Sequence, residues 1–293
     1  MERIVIIANP SAGRAHSIEA LLEELAVLPN HSFREVGKGE SPTQVARNAI
    51  ADGVKTIVAA GGDGTLHAVV CGIADLGSVT VGLIPLGTGN DLARSLHIPT
   101  DLASAVAVIA AGKTRAIDLI HVEADSGARW CVNASAGGFA GIVDEKLSHA
   151  KTGWLGPLAY FGSALEALRD IPEYRIELTL GDEVPLTLTG CNVVVANGRS
   201  VAGGVIVAPN AVLDDGLMDV AVFKATSAGE LALLVPSLLA GVPVDPDRMF
   251  YARGRRVRVA TTPPAPFNSD GELIGEGPVT YEVRPGALRM LVP

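Results

Sequence analysis

Cysteine is scarce. The 293 residues include only Cys71, Cys131 and Cys191, widely spaced and without a CxxC pair. That argues against a zinc knuckle or a disulfide framework and points to a reducing, cytoplasmic setting with buried thiols. Aromatic residues are also few, at 4%, so Ala, Val, Leu and Gly must build the core. Positive charge is in deficit. With 23 Lys+Arg against 32 Asp+Glu, the net charge is −9, the wrong sign for a general nucleic-acid binder, which gains affinity by displacing counterions from phosphates. Long apolar runs are missing as well. The richest stretch, Leu231 to Val244, is interrupted by Pro236, Gly241 and Pro243, short of the ~18 residues of a membrane span. Met1-Glu2-Arg3-Ile4 enters a strand pattern directly, without the basic region and cleavage site of a signal peptide.

What is present is a 48% hydrophobic composition, enough for a sizeable core, and a length that suggests about two domains. The first ~125 residues alternate strand and helix by their hydrophobic period. Strands are expected at Ile4–Ala8, Ser32–Val36, Thr56–Ala60 and Thr80–Ile84. Helices are expected after Ser17, after Ser41-Pro42 and over Thr65–Ala74. Such alternation means a parallel sheet flanked by helices. From Tyr174 the pattern changes to strands, at Tyr174–Leu180, Leu186–Val195, Leu217–Phe223, Arg255–Ala260 and Val279–Val283, with one helix at about Ser227–Leu239. The expected organisation is an α/β domain over residues 1–125 and a β-rich domain over 126–285. The tail, about 286–293, returns to the first domain in this reading, and the boundary falls near Ala124–Arg129.

Three glycine-rich segments follow three of the first strands: Asn9-Pro10-Ser11-Ala12-Gly13, Gly61-Gly62-Asp63-Gly64-Thr65 and Pro85-Leu86-Gly87-Thr88-Gly89-Asn90-Asp91. All sit where a parallel strand ends and a helix begins, the edge at which open α/β sheets bind ligands. Glycine admits close backbone approach, and helix N-termini attract phosphate. Familiar phosphate and hydrolase motifs fail. Gly112-Lys113-Thr114 lacks the first glycine of a P-loop, where Ala107 stands, and follows a helical pattern. Leu92 occupies the third glycine position of a GxGxxG begun at Gly87. Asn133-Ala134-Ser135-Ala136-Gly137 misses the nucleophile elbow at its first residue.

In combination, Gly61–Thr65 and Pro85–Asp91 resemble the soluble bacterial diacylglycerol kinase (lipid kinase) family, whose catalytic domain is shared with sphingosine and ceramide kinases. The first of these motifs also occurs in NAD kinases; the second points to the lipid branch. Asn133–Gly141, Asp214-Asp215-Gly216-Leu217 and Asp270-Gly271-Glu272 extend the resemblance over essentially the whole chain. It implies a Rossmann-like N-terminal domain of NAD kinase/diacylglycerol kinase type with a C-terminal β-sandwich. It also implies ATP bound by Asn9, Pro10, Ser11, Ala12, Gly13, Gly62, Asp63, Gly64, Thr65, Leu66, His67, Ala68, Thr88 and Asp91. Asp63 and Asp91 are read as ligands, direct or through water, of a catalytic Mg2+; turn and helix-cap duty is the competing reading. Glu272 is the expected general base, although Asp-Gly-Glu between strands is also an ordinary hairpin turn. The family's Lys–Asp–Glu relay maps onto Lys151, with Lys146 as the alternative, Asp215 and Glu272. A second, structural Mg2+ is expected on the Asp215 carboxylate and the carbonyls of Val212 and Leu217, unless the loop is only a tight turn.

The resemblance further implies ATP-dependent phosphorylation of a lipid alcohol, with diacylglycerol leading and a sphingoid base, ceramide, phosphatidylglycerol or, last, NAD as alternative acceptors. A non-catalytic nucleotide- or lipid-binding protein is the reading from another class. The expected partner is a membrane-embedded lipid met peripherally at the inner face of the membrane. No nucleic acid is expected, and a homodimer is common in the family. Arg14 is the cation nearest the first loop. Arg253, Arg255, Arg256 and Arg258 form either a headgroup contact or, preferably, a solvated strand face. Leu231–Leu234 and Leu238-Leu239 are read as core rather than a lipid-facing lip.

Overall fold

A computed structural model describes residues 3–9, 18–73, 75–142 and 171–293. The chain divides into two compact units, Met1–Asp118 with Gly286–Pro293, and Leu119–Pro285.

In the first unit β1 (Ile4–Ala8), β2 (His31–Glu35), β3 (Thr56–Gly61) and β4 (Thr80–Pro85) run parallel in the order β2-β1-β3-β4. Ile57, Val58, Ala59 and Ala60 are all buried, as expected of a parallel strand covered on both faces. Chain from beyond the second unit completes the sheet: Arg289 and Met290 pair parallel with Thr80 and Val81. The helices are α1 (Ile18–Leu25), α2 (Pro42–Ala51), α3 (Asp63–Cys71), α4 (Asp91–Ser95) and α5 (Leu102–Ala111). Helix α2 starts as its sequence dictates. The Thr43 N–H donates to Ser41 Oγ at 3.2 Å, Pro42 takes the first turn, and Val45, Ala46 and Ala49 face inward. Helix α3 begins two residues before the expected Thr65, because Gly62 already serves as its N-cap. Ile6, Leu25, Val58, Ile84, Ile109 and Leu291 share one core. Within it Gly82 leaves the room that Ile109, Leu291 and Val58 fill.

Strand β5 (Thr114–Ala124) leads into the second unit and pairs antiparallel with β6 (Gly127–Cys131). There follow β7 (Ala134–Gly138), β8 (Tyr174–Leu180), β9 (Leu186–Gly190), β10 (Asn192–Ala196), the short pair β11 (Ser200–Val201) and β12 (Val205–Ile206), and β13 (Met218–Phe223). Helix α6 (Ala228–Ala240) comes next, then β14 (Met249–Gly254), β15 (Arg256–Thr262), β16 (Phe267–Ser269), β17 (Glu272–Gly275) and β18 (Val279–Leu291). One antiparallel sheet has the order β14-β13-β10-β7-β16-β17. Facing it, β18, β15, β8 and β9 pair antiparallel in sequence. Val193, Val195, Val220 and Phe267 from the first sheet meet Ile176, Leu178, Val257 and Tyr281 from the second in a sandwich core. The expected single strand Leu186–Val195 is two strands. The chain turns at Gly190 and Cys191, so that β9 pairs with β8 in one sheet and β10 with β7 and β13 in the other.

Candidate active site

The ends of β1, β3 and β4 are in register, Ala8 beside Ala60 and Ala60 beside Ile84. The loops that follow therefore share one edge of the sheet. Of the first loop only Asn9 is described, its N–H donating to the Ala60 carbonyl at 3.2 Å; Pro10, Ser11, Ala12, Gly13 and Arg14 lie outside the described residues.

The other two loops are packed backbone against backbone. The Leu86 N–H donates to the Gly61 carbonyl at 2.9 Å. A Cβ on Gly62 would lie 3.1 Å from the Cα of Gly87. These two glycines are thus required by the contact between loops. Asn90, at φ 53°, locks the second loop: its Oδ1 accepts from the Gly87 N–H at 3.1 Å, and its Nδ2 donates to the Gly87 carbonyl at 2.6 Å. The left-handed conformation, which Asn tolerates better than most side chains, allows that reach. Asp63 joins the two motifs. Its Oδ2 accepts from the Asp91 N–H at 3.1 Å and its Oδ1 from the Leu92 N–H at 3.2 Å, satisfying two free donors at the start of α4.

Gly64 is a different case: a Cβ there would meet nothing within 4 Å, so neither packing nor a positive φ requires glycine. Space thus remains over the N-terminus of α3. The buried Thr65 Oγ1 has no protein hydrogen-bond partner. Open space, helix N–H groups and a spare hydroxyl suit a phosphate chain. Thr88 is exposed, whereas Leu66 is in the core. The His67 ring is buried, with its Nε2 3.5 Å from Cys71 Sγ. The Ala68 carbonyl accepts from Thr43 Oγ1 at 2.8 Å.

In the second unit Glu272 opens β17 directly after a tight turn, where Asp270 and Gly271 have φ 48° and 85°. The Asp270 carboxylate accepts from the Val132, Asn133 and Ala134 N–H groups at 2.7, 2.9 and 3.1 Å. Glu272 keeps 59% of its side chain exposed, and its Oε2 lies 3.6 Å from Arg129 Nη1. Arg129 Nη2 donates to Ser126 Oγ at 3.1 Å.

Asp215 lies in an Asx turn, with Oδ1 accepting from the Leu217 N–H at 3.0 Å. Its Oδ2 pairs with Arg253 Nη2. Arg253 Nε is also 3.2 Å from Oδ1 of the buried Asp219, which accepts the Tyr251 hydroxyl as well. Burial raises the pKa of Asp219, against the pull of Tyr251 and Arg253. Val212 is exposed and Leu217 half-buried. Arg253 thus belongs to an ion-pair cluster on β14, while Arg256 and Arg258 lie exposed on β15; the arginine run is divided between two strands. Lys151 and Lys146 lie outside the described residues. Among the described residues no group of three His, Cys, Asp or Glu is placed to hold a metal. Mg2+ on phosphates commonly takes only one or two carboxylates, the remainder being water and substrate oxygen, and the Asp63 carboxylate, which already accepts the Asp91 and Leu92 N–H groups, supplies one such oxygen donor.

Sequence reasoning passed over Arg129 and Asp219, and it took Asn90 and Asp270 only as members of motifs. The one available signal was at Asn90, a left-handed-tolerant residue in a glycine loop.

This pairing of a parallel nucleotide-type sheet with an antiparallel sandwich has known counterparts. Residues 3–122 match the diacylglycerol kinase catalytic domain. Residues 134–292 match the YegS C-terminal NAD kinase beta sandwich-like domain. A protein of Xanthomonas campestris pv. campestris (strain 8004), named "Probable lipid kinase YegS-like", is 34% identical over 296 residues, 96% of this chain and 94% of its own. A diacylglycerol kinase of Staphylococcus carnosus (strain TM300) is 29% identical over 290 residues, 96% of this chain and 92% of its own. The crystal structure of a diacylglycerol kinase from Bacillus anthracis str. Sterne shares the fold, with a TM-score of 0.76 at 20% identity, over 100% of this chain and 97% of that one. The chain belongs to the bacterial lipid kinase family that includes the YegS-like and diacylglycerol kinases. It is accordingly a lipid kinase, and kinase chemistry implies ATP.

Proposed function

We propose that the enzyme transfers the γ-phosphoryl group of ATP to the hydroxyl of diacylglycerol, giving phosphatidic acid and ADP. The observation that carries the reading is Glu272: an exposed carboxylate at a hairpin whose turn is fastened by three backbone N–H groups. A protonated hydroxyl is a poor nucleophile. Glu272 accepts its proton as the oxygen forms a bond to the γ-phosphorus, and the bond from that phosphorus to the bridging oxygen breaks. In unit one, the space over Gly64, the Thr65 hydroxyl and the first N–H groups of α3 hold the phosphates. Asp63 and Asp91 would hold Mg2+, which supplies charge neutralisation on the phosphate oxygens when bound.

The relatives named diacylglycerol kinase favour that acceptor. The enzyme reaches its substrate peripherally from the cytoplasmic side. No helix among the described residues is long and apolar enough to cross a membrane, and Leu233 and Leu239 on α6, with Val242 after it, stand exposed.

The test is Mg2+-dependent transfer of labelled phosphate from ATP in mixed micelles to diacylglycerol, a sphingoid base, ceramide and phosphatidylglycerol, with Glu272→Gln beside the wild type. Transfer to diacylglycerol is expected for the wild type, falling at least ~100-fold in the variant, the lower range for a lost acid–base group, while ATP still binds. Near-normal turnover by the variant refutes the base, and preference for another acceptor refutes the substrate.

A further inference from the structure

Glu272 does not set its own position. Its side chain is mostly exposed, and an exposed glutamate ordinarily samples several rotamers. Two features restrain this one. The first is the turn before it. Three consecutive N–H groups, those of Val132, Asn133 and Ala134, converge on one carboxylate, an arrangement that only a curled backbone permits. The Asp270 N–H returns a bond to the Ala134 carbonyl at 2.9 Å. The turn therefore stands at a fixed height above the link between β6 and β7. The pairing of Ser135 with Ser269 continues the attachment into the sheet. The second feature is a cation. Arg129 lies on β6, three residues before the gripped segment, and its guanidinium is beside the Glu272 carboxylate. Ser126 holds the other side of that guanidinium. Hairpin and arginine thus answer to the same short stretch of chain.

We infer that Asp270 and Arg129 are positioning residues for the catalytic carboxylate, Asp270 fixing where Glu272 stands and Arg129 fixing where its carboxylate points. This rests on the reading of Glu272 as the base. Nucleotide binding is not part of their task, so the two roles separate in kinetics. Misplacing a catalytic group by about 1 Å can cost ~100-fold in rate.

The experiment compares Arg129→Gln, Arg129→Lys, Asp270→Asn and Glu272→Gln in the full-length enzyme, by steady-state transfer to diacylglycerol and by calorimetric ATP binding. Arg129→Gln and Asp270→Asn are expected to lose roughly 10- to 100-fold in kcat, on the scale of a misplaced catalytic group. Their KM for ATP and their ATP affinity should stay within about twofold, since binding energy is untouched when only the chemical step loses its alignment. Arg129→Lys, which keeps the cation but loses the fork that also holds Ser126, is expected to recover part of the rate. If Asp270→Asn does not fold, the two arginine variants decide the matter alone. Full kcat in Arg129→Gln, or a lysine variant no better than the glutamine one, overturns the inference while Glu272→Gln remains inactive. An active Glu272→Gln overturns the base assignment instead.

Discussion

The part Asp63 plays in the fold can be measured by itself. In Asp63→Ala the Asp91 and Leu92 N–H groups lose the oxygens that accept them at 3.1 and 3.2 Å. Bonds to a charged acceptor contribute about 1.5–3 kcal/mol each. The site is part-buried, so water recovers some of the loss, and a net cost of about 2–4 kcal/mol remains. At 1.36 kcal/mol per tenfold, amide exchange in a peptide spanning Leu86–Ile98 should rise by roughly 30- to 1000-fold. Asp63→Asn keeps one good acceptor and should show about half that free-energy change. Hydrogen–deuterium exchange is to be measured in EDTA and without nucleotide, so that loss of a bound ion contributes nothing. Exchange in the alanine variant within about threefold of the wild type would refute the reasoning. It would mean that α4 starts equally well without its cap.

Two further outcomes follow from the same geometry. Gly87→Ala places a Cβ against the Gly62 Cα and the Asn90 carboxamide, an overpacking that typically costs about 1–3 kcal/mol, and should lower the thermal midpoint. Gly64→Ala, with open space around it, should keep that midpoint but weaken ATP binding by calorimetry; unchanged binding would remove the phosphate site from α3. Burial pushes the Cys191 thiol up from its ordinary value of 9.0 to about 12, and burial, then the Asp270 carboxylate, also raises Cys131. Iodoacetamide at pH 8 should therefore label only Cys71 in the native enzyme. Because the folded thiols ionise later than the unfolded ones, their stabilising contribution is complete below pH 9.0 and falls as pH rises toward 12. Stability constant over that window would contradict the burial.

Local patterns carried far along this chain. The apolar runs at Ile4–Ala8 and Thr56–Gly61 are buried strands, and Ser41-Pro42 begins a helix. Where sequence reading fell short, the cause was tertiary. Asp63 reaches amides 28 and 29 residues away, and Asp270 reaches others more than 130 residues away; no periodicity encodes such partners. The loop glycines read alike in sequence, yet Gly62 and Gly87 serve loop against loop while Gly64 leaves space. His67 turned out to be buried against Cys71, because α3 presents that face to the interior. The arginine run read as one strand because nothing in Gly254-Arg255 announces that β14 ends and β15 begins.

The return of Arg289 and Met290 to the side of β4 has a consequence for how the enzyme comes into being. The nucleotide unit is begun first on the ribosome, yet its sheet waits for residues made after all of Leu119–Pro285. At ~5–20 residues per second, that is on the order of ten seconds or more. During the wait the edge of β4 is a bare hydrogen-bonding template, open to mispairing with other nascent chains. The strand that closes it also brings Leu291 against Gly82. Newly made chains should therefore rely on chaperones until that strand docks, and nucleotide binding should arrive late in synthesis.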